Sequence, residues 1–177
     1  MINTVKITAP LTDDQCTALN AGDRVLLSGP VYTARDLAHG RLIRLLEDGS
    51  DLPFDPAGQI IYYTGPAPAK KGKLIGPAGP TTAGRMDPFT PRLLQAGLKG
   101  MIGKGTRSKE VVEAIRKHRA VYFGAVGGTA ALLAERIQGV ETIAFPDLGT
   151  EAILRLELDS FPVIVAIDSR GNNLYSL

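Results

Sequence analysis

Three things are scarce in this sequence: cysteine, long apolar runs and charge of one sign. The one cysteine, Cys16, excludes an intramolecular disulfide. No run of about 18 apolar residues is present, so the sequence predicts no membrane-spanning helix. A formal net charge of +2 with mixed signs argues against a dedicated nucleic-acid binder, which would carry a strongly basic face. The stretch MINTVKITAPLTDDQC lacks the apolar core of a signal peptide, so we expect a cytoplasmic protein.

What is present is enough apolar material for a full core. The chain has 177 residues, 44% of them hydrophobic, and we expect one compact domain over residues 1–177. Apolar periodicity and Gly/Pro punctuation predict alternating strands and helices, which is the α/β class. The predicted strands cover 23–28, 59–63, 100–102, 121–125, 141–145 and 162–168, and the predicted helices cover 33–47, 88–96, 109–119 and 129–137. Thr33 and Ser108 are the candidate N-caps of two of these helices.

Residues 76–91, GPAGPTTAGRMDPFTP, combine backbone-shaping residues with residues that bind anions. Gly and Pro allow Thr81 and Thr82 to be presented from a turn, with Arg85 four residues after Thr81. A guanidinium can hold a carboxylate through two parallel hydrogen bonds, and a nearby hydroxyl can donate to the ligand or exchange a proton with it. The alternative is a structural loop in which Arg85 pairs with Asp87 and the threonines cap the next helix, because Gly/Pro/Thr loops are common.

Two further segments carry cations in a similar setting. TARDLAH, at 33–39, puts Arg35 and His39 on one face of a predicted helix, and KGMIGKG, at 99–105, ends a predicted strand on Lys104. Together with GPTTAGRMD, they resemble the class I, iron–sulfur type of fumarate hydratase, in its C-terminal domain or separately encoded beta subunit. The related beta subunit of L-tartrate dehydratase has similar elements. The resemblance runs through nearly the whole chain, including SGPVYTARDLAH, AFPDLGTEAI and FPVIVAIDSRGNNLY.

The resemblance implies one half of an enzyme. That family reversibly hydrates fumarate to L-malate with a four-iron four-sulfur cluster, which three cysteines hold in another domain or subunit and whose open iron acts as a Lewis acid toward the departing hydroxyl. Because this chain has only Cys16, it cannot supply the cluster and would need an alpha subunit in a hetero-oligomer. The implied fold is a swivelling β/β/α domain with a mixed central sheet and flanking helices, whose active edge faces the partner.

The resemblance also implies roles for four residues. Thr81 matches the family's proposed catalytic threonine, and Arg35, Arg85 and Lys104 match positions that bind the substrate carboxylates. Dehydration of malate removes a proton from the carbon next to a carboxylate, so cations that stabilise charge on that carboxylate suit the reaction. Threonine is a poor base, and this role would require activation by neighbouring cations or by the partner. A solvated surface cation is the ordinary role of such an Arg or Lys.

Other polar residues near these motifs are candidates for supporting roles. We expect Asp36 and Asp87 to pair with arginines and Thr82 to neighbour the site. His39 could orient Arg35 or join a polar cluster, although a surface or satisfied helical histidine is the alternative. Cys16, in DDQCTALN, is predicted to lie on a helical or capped surface segment and not to bind metal. We predict no metal ligands in this chain.

Two other functions and the choice of substrate stay open at this point. An inactive, regulatory carboxylate-binding module would keep the same cations. A nucleotide-binding module would use Gly124, Gly127 and Gly128, but GAVGGTA does not have the G-x-G-x-x-G spacing. The residues after the paired threonines in GPTTAGRMD favour fumarate and malate over tartrate. Tartrate and other C4 dicarboxylates remain alternatives, because malate and tartrate differ by one hydroxyl.

Overall fold

The computed structural model describes residues 4–125 and 130–176. Within them lies a seven-stranded sheet with the strands Thr4–Thr8 (β1), Arg24–Thr33 (β2), Ile60–Tyr62 (β3), Gly100–Gly103 (β4), Val121–Ala125 (β5), Ile137–Ala144 (β6) and Ile153–Ile167 (β7). The α-helices are Asp13–Ala18 (α1), Asp36–Glu47 (α2), Thr90–Gln95 (α3), Lys109–His118 (α4) and Ala130–Ala134 (α5). Short 3-10 turns cover Ala83–Met86, Pro146–Glu151 and Leu174–Ser176. The predicted α/β class, with a central sheet and helices, is confirmed.

The sheet is mixed and its pairings form a ring. Strands β1 to β5 are parallel neighbours in chain order. The long strand β7 runs antiparallel to β5, β6 and β2. Since β7 pairs with both β5 and β2, the pairings close the ring β2-β3-β4-β5-β7. The carboxyl ends of the parallel strands therefore meet at one edge, which is where α/β proteins commonly bind ligands.

Side chains alternate between the two faces of the strands and form two apolar clusters. In β3, Ile60 and Tyr62 belong to one cluster and Ile61 to the other, because successive strand residues point to opposite faces. Helices α1 and α5 contribute buried residues to the first cluster, and α2, α3 and α4 contribute to the second. Helices therefore pack on both faces and fix the strand ends that carry the cations.

One predicted N-cap is confirmed and the other is wrong. The Ser108 hydroxyl accepts a hydrogen bond from the Val111 amide at the start of α4. Thr33 instead ends β2 fully buried, where its hydroxyl donates to the Ala152 carbonyl and accepts from the Leu154 amide. Helix α2 starts three residues later than predicted, at Asp36, with Arg35 as its N-cap. Strand pairing with β7 overrides the local capping preference of Thr33.

Other boundaries also differ from the sequence predictions. Strand β7 begins at Ile153 because its first half pairs with β2 and β6. Ile137, predicted to end a helix, begins β6. The predicted start of that helix at Thr129, and the glycines 127 and 128, lie outside the described residues. Strand β1 was not predicted.

The amino-terminal helix departs from its prediction in one respect. A capping box between Thr12 and Gln15 starts α1, as a capped segment would. Cys16, expected on a surface segment, is fully buried in the first apolar cluster. Among residues 4–125 and 130–176, no helix has both the length and the apolar character needed to cross a membrane.

Candidate functional site

The loop that carries Thr81 lies at the carboxyl edge of the sheet. The Thr81 amide donates to the Tyr63 carbonyl at 2.6 Å, directly after β3. The Lys104 amide, directly after β4, donates to the Thr81 carbonyl at 3.2 Å, and the Ala83 amide donates to the Lys104 carbonyl at 2.8 Å. Thr82 and Lys104 thus form a parallel β-bridge. Backbone pairing brings the threonines and Lys104, which are distant in sequence, to one place.

Close packing at Gly103 makes this pairing possible. A Cβ atom at Gly103 would lie 2.8 Å from the Tyr63 ring and 3.0 Å from the Ala83 Cβ. Both distances are shorter than side chains normally tolerate, so any larger residue would push the loop away from β4. Gly103 of the KGMIGKG segment is therefore needed for packing, because the absence of a side chain lets the loop approach the strand.

Arg35 and Arg85 meet at one carboxylate on the same edge. Arg85 Nε donates to Asp36 Oδ1 at 3.0 Å, and Arg85 Nη2 lies 2.9 Å from Asp36 Oδ2. Arg35 Nε lies 3.9 Å from the same Oδ2. The prediction that Asp36 pairs with arginines is confirmed, whereas the alternative pairing of Arg85 with Asp87 is not what the structure shows. Asp36 thus holds Arg85 through two contacts and lies at the outer limit of an ion pair with Arg35, and the three groups keep a net positive charge.

Arg35 also reaches the end of β3. A Cβ atom at Gly65 would lie 3.1 Å from Arg35 Cδ and 3.2 Å from Arg35 Nη1. The arginine therefore lies across Gly65, between α2 and the segment that follows β3. Its side chain is 27% exposed, against 52% for Arg85, and Arg35 Nε is buried without a hydrogen-bond partner among the described residues.

The side chains of Thr81 and Lys104, the two other predicted site residues, carry polar groups that a ligand can contact. Thr81 is half-buried, while Lys104 and Thr82 are exposed. Over the part of the chain that the structure describes, neither the Thr81 hydroxyl nor the Lys104 ammonium has a hydrogen-bond or ion-pair partner. The carboxyl edge thus presents three cations and a hydroxyl, and within the described residues Asp36 is the carboxylate that pairs with two of these cations. This arrangement can bind an anion that has more than one carboxylate.

His39 lies under this edge and is buried. Its Nδ1 is 2.8 Å from the Arg35 carbonyl oxygen. Since a carbonyl only accepts, Nδ1 carries the proton and donates. Burial lowers the pKa of His39 to about 4, so the ring is neutral at pH 7. The histidine therefore supports the backbone at Arg35 and is not itself a cation of the site.

Sequence reasoning missed Arg107, whose side chain is completely buried. It pairs with Asp87, which confirms that Asp87 partners an arginine but identifies a different arginine from the one considered. Nothing in the stretch GTRSKE distinguishes this arginine from a solvated one, because its burial depends on partners from other segments. Every predicted site residue is linked to the same carboxyl edge by contacts of the backbone or the side chain.

The described residues do not fit an iron–sulfur cluster. No group of three or more His, Cys, Asp or Glu in residues 4–125 and 130–176 is placed to hold a metal ion. The thiol of Cys16 is buried in the apolar core, and burial raises its pKa to about 11, which disfavours the thiolate that ligates iron. Iron–sulfur clusters are held by several thiolates, and this chain has one cysteine.

The cations face an open edge. A cleft of about 430 Å³ lies between residues 70–77 and α5. Another of about 350 Å³ lies between residues 66–75 and a surface formed by β6, the 3-10 turn that follows it and β7. Neither cleft is lined by Thr81 or by the three cations. A small ligand held at this edge would need a further surface to enclose it.

Comparison with known families and proteins agrees with the sequence resemblance. A model of the Fumarase C-terminus family matches residues 1–177. The chain belongs to this family. It is 40% identical to fumarate hydratase 2 of Leishmania major over 164 residues, which are 92% of this chain and 29% of that protein. It is 42% identical to the anaerobic class I fumarate hydratase of Escherichia coli strain K12 over 155 residues, 86% of this chain and 28% of that protein.

A third relative is nearly the same length as this chain. The putative L(+)-tartrate dehydratase subunit beta of Methanocaldococcus jannaschii is 39% identical over 171 residues, which are 93% of this chain and 88% of that protein. By contrast, the chain spans less than a third of the two fumarate hydratases. Members of this family thus occur both as part of a long polypeptide and as a protein named as a subunit.

Proposed function

We propose that this chain is the beta subunit of an iron–sulfur-dependent hydro-lyase that interconverts fumarate and L-malate. The observation that carries the proposal is that four groups lie at the carboxyl edge of the sheet: Lys104 is paired through its backbone with the loop of Thr81, and Arg85 and Arg35 lie against Asp36. The relatives named as fumarate hydratases support the reaction class. We further propose that residues 1–177 form one domain of the swivelling β/β/α type, and that it works in the cytoplasm.

The cations have a specific task in this reaction. A C4 dicarboxylate has two carboxylates, and the guanidinium groups of the half-buried Arg35 and the exposed Arg85 can each hold carboxylate oxygens through paired hydrogen bonds. The Lys104 ammonium adds a third positive charge. When the proton next to a carboxylate is removed, negative charge develops on that carboxylate, and fixed cations stabilise this charge more than they stabilise the substrate.

The Thr81 hydroxyl is the proposed proton-transfer group. Its amide and carbonyl are both fixed, to Tyr63 and Lys104, so the hydroxyl is held at a defined place on the edge. A hydroxyl has too high a pKa to remove such a proton unaided, and nearby cations lower the cost of the alkoxide. Lys104, which pairs with the loop through its backbone, and Arg85, which lies within it, are proposed to supply this effect.

The remainder of the site is proposed to come from a partner. A four-iron four-sulfur cluster would be held by the cysteines of an alpha subunit, because the described residues of this chain do not fit one. The open edge supports this proposal, since a second surface would enclose the substrate. The active protein would then be a hetero-oligomer, and binding to nucleic acid or membrane has no part in its function.

One observation favours a second substrate. A relative of similar length is named as a putative L(+)-tartrate dehydratase subunit beta, so L-tartrate is the second candidate. Tartrate has one more hydroxyl than malate, and discrimination depends on polar groups that are satisfied only by that hydroxyl. An inactive regulatory module that binds carboxylates is the alternative of another class.

Reconstitution tests these proposals together. The purified chain is mixed with its alpha partner under anaerobic conditions and assayed with fumarate, L-malate and L-tartrate in parallel. We expect turnover of fumarate and malate by the complex, and neither turnover nor iron–sulfur absorbance for the chain alone. Preferential turnover of tartrate would establish the second candidate. Dicarboxylate binding without any turnover would favour the regulatory module, and robust turnover by the chain alone would refute the split enzyme.

A further inference from the structure

A buried arginine lies beneath the carboxyl edge and touches none of the proposed ligand-binding groups. The Arg107 side chain has no exposed surface, and that of Asp87 is 14% exposed. Arg107 Nε donates to Asp87 Oδ1 at 2.6 Å. Breaking such a pair leaves a buried charge without a partner, which is far more costly than breaking a surface pair. The buried Arg107–Asp87 ion pair is therefore expected to keep its geometry.

Asp87 connects this buried ion pair to one end of the 81–87 loop. It directly follows the 3-10 turn Ala83–Met86, and its amide donates to the Gly84 carbonyl at 3.2 Å. Its second carboxylate oxygen accepts from the Ser108 amide at 2.7 Å. Since Ser108 is the N-cap of α4, Asp87 joins the end of the turn that carries Arg85 to the start of a helix.

Arg107 connects the same ion pair to the other end of the 81–87 loop. Its Nη2 donates to the Tyr63 hydroxyl at 3.2 Å and to the Thr90 hydroxyl at 2.8 Å. Its guanidinium carbon lies 5.3 Å from the centre of the Tyr63 ring and 4.8 Å from that of Tyr122, at cation–π distance. Tyr63 in turn accepts the Thr81 amide through its carbonyl. Both ends of the 81–87 segment thus connect to one guanidinium.

We propose that Arg107 is the positioning residue of the 81–87 loop, holding Thr81 and Arg85 in the geometry that faces the ligand. A planar fork with several donors reaches Asp87, Tyr63 and Thr90 at once, and the single ammonium of a lysine does not. The identity of the ligand rests on the proposed function, whereas the mechanical role of Arg107 does not. Displacement of a catalytic group by about 1 Å can lower a rate by about 100-fold, so such a role has a kinetic consequence.

The test compares Arg107→Lys with a variant that breaks a more exposed ion pair elsewhere. Asp13→Asn breaks the Lys99 pair, which has the same 2.6 Å distance but lies before β4, at the opposite edge of the sheet. Amide hydrogen exchange is measured on the full chain, and kcat and KM are measured on the reconstituted complex. For Arg107→Lys we expect exchange in residues 81–87 to accelerate about 10-fold or more, with kcat/KM lowered by about 10-fold to 100-fold at unchanged assembly.

Each outcome decides the proposal. Asp13→Asn should leave the exchange of residues 81–87 and the value of kcat/KM at wild-type levels. Unchanged exchange in 81–87 for Arg107→Lys, or acceleration spread evenly over the chain, would overturn the positioning role. If the wild-type complex has no hydratase activity, the proposed function fails and the exchange pattern alone decides the role of Arg107. If Arg107→Lys does not fold, the isosteric Asp87→Asn variant is read by the same criteria.

Discussion

The two ends of strand β4 carry the same residue type in opposite circumstances. Lys99, just before the strand, lies 2.6 Å from Asp13, donates to the His118 carbonyl and is 18% exposed in its side chain. Lys104, just after the strand, is exposed and has no side-chain partner within the described residues. At the amino edge the positive charge is neutralised by a carboxylate of the same chain. At the carboxyl edge it remains available, which is the property that a ligand site requires.

The largest effect should come from the hydroxyl at the carboxyl edge. If Thr81 exchanges the proton, Thr81→Val should lower kcat roughly 100-fold to 10,000-fold, the usual range for general acid–base groups, with a small change in dicarboxylate affinity. Thr82→Val is the neighbouring control, because Thr82 shares the β-bridge with Lys104 but is exposed. Single-turnover hydration and deuterium exchange into malate, at matched cluster content, provide the measurement.

One result would contradict the proposed role of Thr81. Unimpaired deuterium exchange in the Thr81→Val complex would remove Thr81 from proton transfer. The loop would then be a binding element, and the base would have to lie on the partner.

A smaller effect is expected for the arginines of the same edge. Removing one charged contact to a carboxylate should raise the barrier by about 2 to 4 kcal/mol, or roughly 30-fold to 1,000-fold in kcat/KM. Arg35→Ala and Arg85→Ala should each show this loss in the reconstituted complex. Arg116→Ala is a control, since this arginine pairs with Glu113 on the exposed surface of α4. Near-wild-type kcat/KM with normal assembly would exclude the substituted arginine from the site.

The smallest effect concerns stability and pH at the histidine beneath the edge. The pKa of His39 is lowered by burial from 6.5 to about 4, so between these values the unfolded chain binds more protons. The contribution of neutral His39 to the free energy of unfolding is therefore fully present above about pH 6.5. It is lost as the pH drops toward 4, by up to about 3 kcal/mol. Urea denaturation over this pH range measures the slope for wild type and for variants.

Two histidine variants sharpen this test. Asn at position 39 can still donate to the Arg35 carbonyl but does not titrate, so His39→Asn should flatten the slope. His118→Asn should change the slope less, because His118 is only half-buried, and burial lowers its pKa in the same direction by a smaller amount. A His39→Asn variant with an unchanged slope would assign the pH dependence to other groups.

Local signals in the sequence predicted much of the fold. Ser108 caps α4 as expected, because a cap depends on residues within one turn. The strands predicted over 59–63, 100–102 and 121–125 were also found, at Ile60–Tyr62, Gly100–Gly103 and Val121–Ala125. The α/β class followed from the alternation of predicted strands and helices. Thr33 shows where such signals fail, since its hydroxyl bonds to β7, more than a hundred residues away in sequence. No local pattern contains that pairing.

The same distinction applies to the site: residues within local motifs were predicted, and contacts between distant segments were not. The motifs around Arg35, Thr81, Arg85 and Lys104 identified the carboxyl edge, because their resemblance to a family covers each segment. The partners of these residues were harder to predict. Asp36, and not Asp87, holds Arg85, and the buried Arg107 became visible only when Tyr63, Asp87 and Thr90 were brought together by the fold.

The most direct test of the contrast between the two edges is one experiment on the two lysines of β4. Lys99→Met and Lys104→Met are compared by kcat/KM for fumarate in the reconstituted complex and by the free energy of unfolding of the chain. We expect Lys104→Met to lower kcat/KM roughly 30-fold to 1,000-fold with little change in stability. Lys99→Met should lower stability by about 1 to 3 kcal/mol and keep kcat/KM near wild type. The reverse pattern, or equal losses of kcat/KM in both variants, would contradict a ligand site at the carboxyl edge.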